Sequence, residues 1–146
     1  MLTVNDVARY FLALSNDEES GELMSNLKLQ KLVYYAQGFH LALYDKPLFN
    51  EPIEAWTHGP VTPDLYRLYK EYGSGAIPQP KEIDFDQYGE QLENLLNEVF
   101  SVYGQFSAWK LRELTHEEPP WKNAYNKKEK IISHDELKEY FKTLVN

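Results

Sequence analysis

Residues 27–44 read LKLQKLVYYAQGFHLALY, and this segment organises the rest of the chain. Twelve of its eighteen positions are apolar or aromatic, and they lie almost all the way round a helical wheel. A helix with this pattern is buried in the centre of a protein, because a surface helix keeps one polar face. Ser25 or Asn26 is placed to cap its start, and Pro47 prevents its continuation. We therefore expect a central helix with the other elements packed around it.

The segments on either side also show mostly helical spacing. Apolar residues recur at three- and four-residue intervals in five further segments, and only residues 53–56 favour an extended piece. The fold class predicted is mainly α: a compact single-domain bundle of about six helices over residues 1–146, with at most a short extended segment near 53–56. The other predicted helices are 4–14, 64–72, 88–103, 108–116 and a last one that follows Ser133 and has Leu144 facing inward. Residues 15–24 and 73–87 are predicted to be loops. Pro119-Pro120 is predicted to end the helix at 108–116.

Length, charge and cysteine content exclude several classes of protein. The 146 residues suit one domain, and the aromatic content is 14%. The absence of cysteine excludes disulfide scaffolds, thiol catalysis and cysteine-ligated zinc or iron–sulfur sites. A net charge of −8 makes nucleic acid an unlikely partner, since phosphates require a basic face.

The sequence also indicates a cytoplasmic location without membrane attachment. No apolar stretch approaches the ~18 residues that a membrane span needs. The first twenty residues have no basic start followed by a long apolar core, so they do not resemble a signal peptide.

Catalytic and metal-binding patterns are weak in this chain. The four histidines include no H-E-x-x-H pair, and neither a G-x-S-x-G turn nor a phosphate-binding glycine run occurs. His58 and His116 with a nearby carboxylate could form a zinc or manganese site, as a hydrolase requires. Alternatively, His116 closes a helix, where a partly cationic ring is favourable. We predict no enzyme, no metal and no cofactor.

Four polar residues interrupt the apolar central helix, namely Lys28, Gln30, Lys31 and Gln37. They could form one solvated stripe of a helix that is packed on its other sides. They could instead form a polar rim around exposed aromatic side chains such as Tyr34 or Tyr35, an arrangement that suits partner recognition.

Charge is segregated along the chain. Residues 82–98 hold six acidic residues and no basic one, whereas residues 122–130 hold four lysines against one glutamate. An acidic face can steer a basic protein partner, or it can serve solubility alone.

Four ordered motifs resemble the Panacea domain family, also called SocA-like antitoxins and phage-associated GepA-like proteins. The motifs are NLKLQKLVYYAQGF at 26–39, PLF at 47–49 with IEAW at 53–56, HGPV at 58–61 followed by Pro63, Tyr66 and Tyr72-Gly73, and the segment from Leu114-Thr115-His116 to Pro120-Trp121. Their order and spacing cover about residues 3–126.

The resemblance implies an antitoxin that binds and neutralises a protein toxin encoded beside it. An alternative that the family also suggests is an adaptor that delivers the toxin to a cytosolic protease. Formation of a homo-oligomer is left open. We expect Lys28, Lys31 and Tyr34 to contact the partner. The residues expected to be structural are Leu29, Gln30, Leu32, Tyr35, Gln37, Trp56, His58, Gly59, Pro60, Val61, His116 and Trp121.

Overall fold

Seven helices and one small sheet form the part of the chain that the computed structural model describes, residues 1–15 and 24–145. The prediction of a mainly α fold is confirmed, with one helix more than the six expected. The helices are α1 (Val4–Leu14), α2 (Asn26–Tyr44), α3 (Pro63–Tyr69), α4 (Glu90–Tyr103), α5 (Ala108–His116), α6 (Pro119–Tyr125) and α7 (His134–Lys142), and the strands are β1 (Ile53–Trp56), β2 (Gly59–Val61) and β3 (Ile131–Ile132). Single 3-10 turns occupy Lys70–Tyr72 and Phe85–Gln87.

Helix α2 lies at the centre, as its all-round apolar pattern predicts. It packs against α1, α3, α4, α5, α7 and β2. The Ser25 side chain caps its first turn by accepting a hydrogen bond from the backbone N–H of Lys28. It ends at Tyr44, and the following Asp45 has a left-handed φ of 59° that directs the chain away from the helix axis.

The sheet is larger than the single extended segment predicted near 53–56. Strands β1 and β2 form an antiparallel hairpin in which Trp56 pairs with Gly59, and β3 pairs with the other edge of β1. Both β2 and β3 are three residues or shorter, which is too short to produce the alternating pattern by which strands are recognised in a sequence.

Several predicted boundaries need correction. Pro119 begins α6 as well as following the end of α5, because the missing N–H of proline is tolerated in a first helical turn. Leu144 is exposed and not inward, because α7 ends at Lys142. Of the loop predicted at 15–24, residues 16–23 lie outside the described residues. Within the described residues, no helix combines the length and apolar character that a bilayer crossing requires.

Candidate functional site

The polar residues of α2 are buried, which corrects both predictions made for them. Lys28 is 3% exposed, Gln30 is 1% exposed, and Lys31 and Gln37 are 0% exposed. They form neither a solvated stripe nor a rim around exposed aromatic rings, since Tyr34 is 0% exposed as well. Lys28, Lys31 and Tyr34, predicted to contact a partner, are therefore inaccessible to a protein that docks on the surface of this conformation.

The two glutamines of α2 pair with buried backbone groups outside the helices and the sheet, in the loop after α2 and at the residue before α3. The Gln37 side chain donates to the carbonyl of Phe49 at 2.7 Å and accepts from the N–H of Leu48 at 2.6 Å. The Gln30 carbonyl accepts from the N–H of Thr62 at 2.8 Å, just before α3 begins. Each amide replaces the hydrogen bonds that a buried backbone would otherwise lose.

The Gln30 side chain also connects α2 to α3 through Asn26. Its NH2 group donates to the Asn26 side chain at 2.9 Å, and Asn26 donates to the carbonyl of Tyr66 at 3.1 Å. These bonds fix α3 against the first turn of α2.

Lys31 is buried beside the β1–β2 hairpin. Its Nζ donates to the carbonyl of Pro60 at 3.3 Å, which is its one hydrogen bond within the described residues. Burial, together with the nearby Arg112 guanidinium, lowers the pKa of Lys31 to about 7.

The lysine also explains the glycine of the hairpin. Gly59 has a φ of 112°, and a Cβ there would lie 2.7 Å from Cε of Lys31 and 2.9 Å from Oγ1 of Thr115. Glycine is required at this position both for the backbone conformation and for the close approach of the buried lysine.

Glu118 is a buried carboxylate that the sequence analysis did not single out. Tyr34 donates to its Oε1 and Tyr35 donates to its Oε2, both at 2.8 Å. Burial raises the pKa of Glu118 to about 7, while the two tyrosine hydrogen bonds oppose that rise. The signal that could have identified it is its place between His116 and Pro120-Trp121, inside the last of the four motifs.

His116 and Trp121 join α5 and α6 to the β1–β2 hairpin. Nε2 of His116 lies 2.9 Å from the carbonyl of Thr57, and Nε1 of Trp121 donates to the carbonyl of Trp56 at 2.8 Å. The two rings also contact each other, with centroids 4.1 Å apart. Both side chains thus hold the turn that carries Gly59.

The other residues that we predicted to be structural differ in their burial. Leu29, Leu32, Tyr35, Pro60 and Val61 are buried. His58 is exposed on the hairpin turn, away from the network that its neighbours enter.

The geometry does not bring together the metal site that was considered for His58 and His116. In residues 1–15 and 24–145, no three histidine, aspartate or glutamate side chains form a group that could hold a metal ion. His116 is the last residue of α5, which confirms the prediction that it closes a helix, and burial together with Arg112 lowers the pKa of its ring. The arrangement is a buried polar network that fixes helices, hairpin and loop in one geometry.

Comparisons with known proteins agree with the motifs. The family model described as "Antitoxin SocA-like, Panacea domain" matches residues 29–122, well over half of the chain. "Antitoxin SocA" of Caulobacter vibrioides (strain NA1000 / CB15N) is 48% identical over 54 residues, which are 37% of this chain and 29% of that protein. The alignment thus spans less than a third of the length of this curated relative. No solved structure matches the chain.

Proposed function

The chain belongs to the SocA-like antitoxins with a Panacea domain, and from this premise we propose that it neutralises a protein toxin encoded beside it by binding the toxin directly. The observation that carries the proposal is the extent of the family match. Residues 29–122 include Gln30, Lys31, Gln37, Gly59 and Glu118, the side chains and the turn that hold the buried network together. The proposal extends to a single domain over residues 1–146 and to a cytoplasmic location.

The structure supports binding without catalysis. The titratable groups of the network are enclosed, and their polar atoms contact other parts of the same chain. A scaffold fixed in this way presents its surface with little conformational freedom, and preorganisation of that kind lowers the entropic cost of association. We therefore assign the toxin contact to the surface that the network supports and no catalytic role to the network itself.

The experiment that tests this proposal is co-expression with the product of the adjacent gene. We expect the neighbouring protein to arrest growth alone, growth to be restored when this chain is present, and the two proteins to co-purify. The matched control is the same transcript with a stop codon early in the coding sequence, which separates neutralisation by the protein from any effect of its RNA. A neighbouring protein that is harmless alone, or one that forms no complex, would overturn the proposal.

The same strains distinguish inhibition by binding from delivery to a protease. If the chain inhibits by binding, the half-life of the toxin is unchanged or longer when the two are co-expressed. An adaptor predicts a shorter half-life that returns to its original value when the cytosolic protease is deleted. A shorter half-life of that kind would replace direct inhibition by the adaptor mechanism.

A further inference from the structure

A groove of about 280 Å³ lies between the C-terminal half of α2, the outer side of α4 and the residues that follow α7. We call it the α2–α4 groove. Nearly all of its lining is aliphatic or aromatic, and three of the lining side chains are large, apolar and exposed: Leu43 (48%), Val102 (41%) and Leu144 (45%). Single exposed apolar residues are ordinary on protein surfaces, but a group that shares one concave site is typical of a binding surface.

The charge around this groove has one sign on its α4 side. Glu98 is the single charged residue in the lining, whereas Glu93 of the same helix accepts a hydrogen bond from Tyr10 of α1. No lysine or arginine occurs between residues 82 and 109. On the α7 side, Lys138 forms an ion pair with Asp45, and Lys142, an exposed residue two positions before Leu144, also acts on the Asp45 carboxylate.

The apolar lining and the acidic side chain in it together indicate which kind of partner fits the groove. Apolar walls between helices fit the apolar face of an amphipathic helix, and Glu98 in the wall favours a lysine or arginine beside that face. Glu98 in the wall, with no lysine or arginine between residues 82 and 109, disfavours an anionic membrane or a nucleic acid on the α4 side.

We propose that the α2–α4 groove binds an amphipathic helix of the toxin, with apolar side chains between α2 and α4 and a basic side chain on Glu98. This inference rests on the proposed function, since it names the part of the surface that makes the toxin contact. It gives Glu98, the last acidic residue of segment 82–98, a role as the charged border of an apolar site.

The test measures the Kd between this chain and the purified product of the adjacent gene. Val102→Gln removes the exposed apolar group from the groove without adding charge, and Leu68→Gln is its matched control on α3, since Leu68 is also exposed. We expect Val102→Gln to weaken binding about tenfold, and Leu68→Gln to leave the Kd within about twofold. Thermal unfolding followed by circular dichroism verifies that both variants are folded.

A charge reversal tests the basic side chain. Glu98→Lys is expected to weaken binding at low salt, and the wild-type Kd is expected to rise with ionic strength because exposed charges are screened. Glu129→Lys makes the same change in net charge at an exposed position in the lysine-rich segment, and it should leave the Kd unchanged.

The outcomes separate this inference from the proposed function. If the wild type binds no neighbouring protein, both are overturned. If the wild type binds and Val102→Gln retains the wild-type Kd, as the control Leu68→Gln does, the groove is not the contact and the proposed function stands. If Glu98→Lys binds as the wild type does, the partner is not basic at this point. If the chain alone is a dimer that Val102→Gln makes monomeric, the occupant is a second copy and the proposal is wrong.

Discussion

Replacement of Glu118 by glutamine tests the buried network through its pH dependence. The carboxylate accepts hydrogen bonds from Tyr34 and Tyr35 in a buried position, and its pKa rises from 4.5 to about 7. At about 1.4 kcal/mol for each pH unit, ionised Glu118 costs the folded state about 3 kcal/mol relative to its protonated form. Glu118→Gln removes this titration and keeps nearly the same shape.

The direction in which stability changes with pH follows from proton binding by Glu118. The folded pKa of Glu118 lies above the unfolded one, so the folded state binds the proton more tightly, and the stability due to this group falls as the pH rises from 4.5 through about 7. The free energy of unfolding of Glu118→Gln, relative to wild type, should therefore rise with pH. Between about pH 5.5 and about pH 8.5 the expected increase is about 2 kcal/mol.

The assay is urea unfolding of both proteins at the two pH values, above the isoelectric point near 5.0. Changes in packing or in the tyrosine hydrogen bonds that do not depend on pH cancel between the two conditions. Glu113→Gln is the matched control, because Glu113 is exposed on α5 and should give no increase. An equal difference from wild type at both pH values would refute the assignment of Glu118 as a buried carboxylate with a raised pKa.

Three further changes are predicted for α2 and can be measured by urea or thermal unfolding. Gly38→Ala should lower the free energy of unfolding by about 1–3 kcal/mol, because the added Cβ overlaps the fully buried ring of Phe141, and combination with Phe141→Leu should recover part of the loss. Lys31→Met should raise stability relative to wild type more at pH 6 than at pH 9, by about 2.5 kcal/mol, because the folded pKa of Lys31 is lowered from 10.5 to about 7 and the buried ammonium is destabilising below that pH. Gln37→Leu should cost about 3 kcal/mol, since it leaves the buried backbone groups of residues 48–49 unpaired, and an unchanged urea midpoint would contradict that role.

The centre of the fold could be predicted from the sequence, because the all-round apolar pattern of residues 27–44 has one physical solution. The environment of its polar residues could not, since a helical wheel shows only contacts along the helix. Gln37 is satisfied by backbone 11 and 12 residues away, Gln30 by backbone 32 residues away, and Tyr34 by a carboxylate 84 residues away. A polar side chain with such distant partners is indistinguishable in sequence from one that faces water.

The role of Glu118 was hidden for a related reason. In an acidic chain a single glutamate carries no distinguishing pattern. Glu118 is buried because it lies just before α6, where the hydroxyl groups of Tyr34 and Tyr35 of α2 contact its carboxylate. The groove was likewise divided in sequence among three distant segments. The sequence shows the acidic segment that ends at Glu98, but it does not show that the apolar side chains of α2 and of residues 144–145 lie beside that glutamate.

The position of α7 has a consequence for the newly made chain. Phe141 packs against the rings of Tyr34, Tyr35 and Phe39, so α7 covers a face of α2 that is almost wholly apolar. Helix α2 ends at Tyr44 whereas α7 begins at His134, so during synthesis that face emerges from the ribosome long before its cover. Until α7 has been synthesised, the nascent chain exposes the apolar face of α2, a surface of the kind that chaperones and quality-control proteases bind. We therefore expect the yield of folded protein to depend on how soon α7 covers this face.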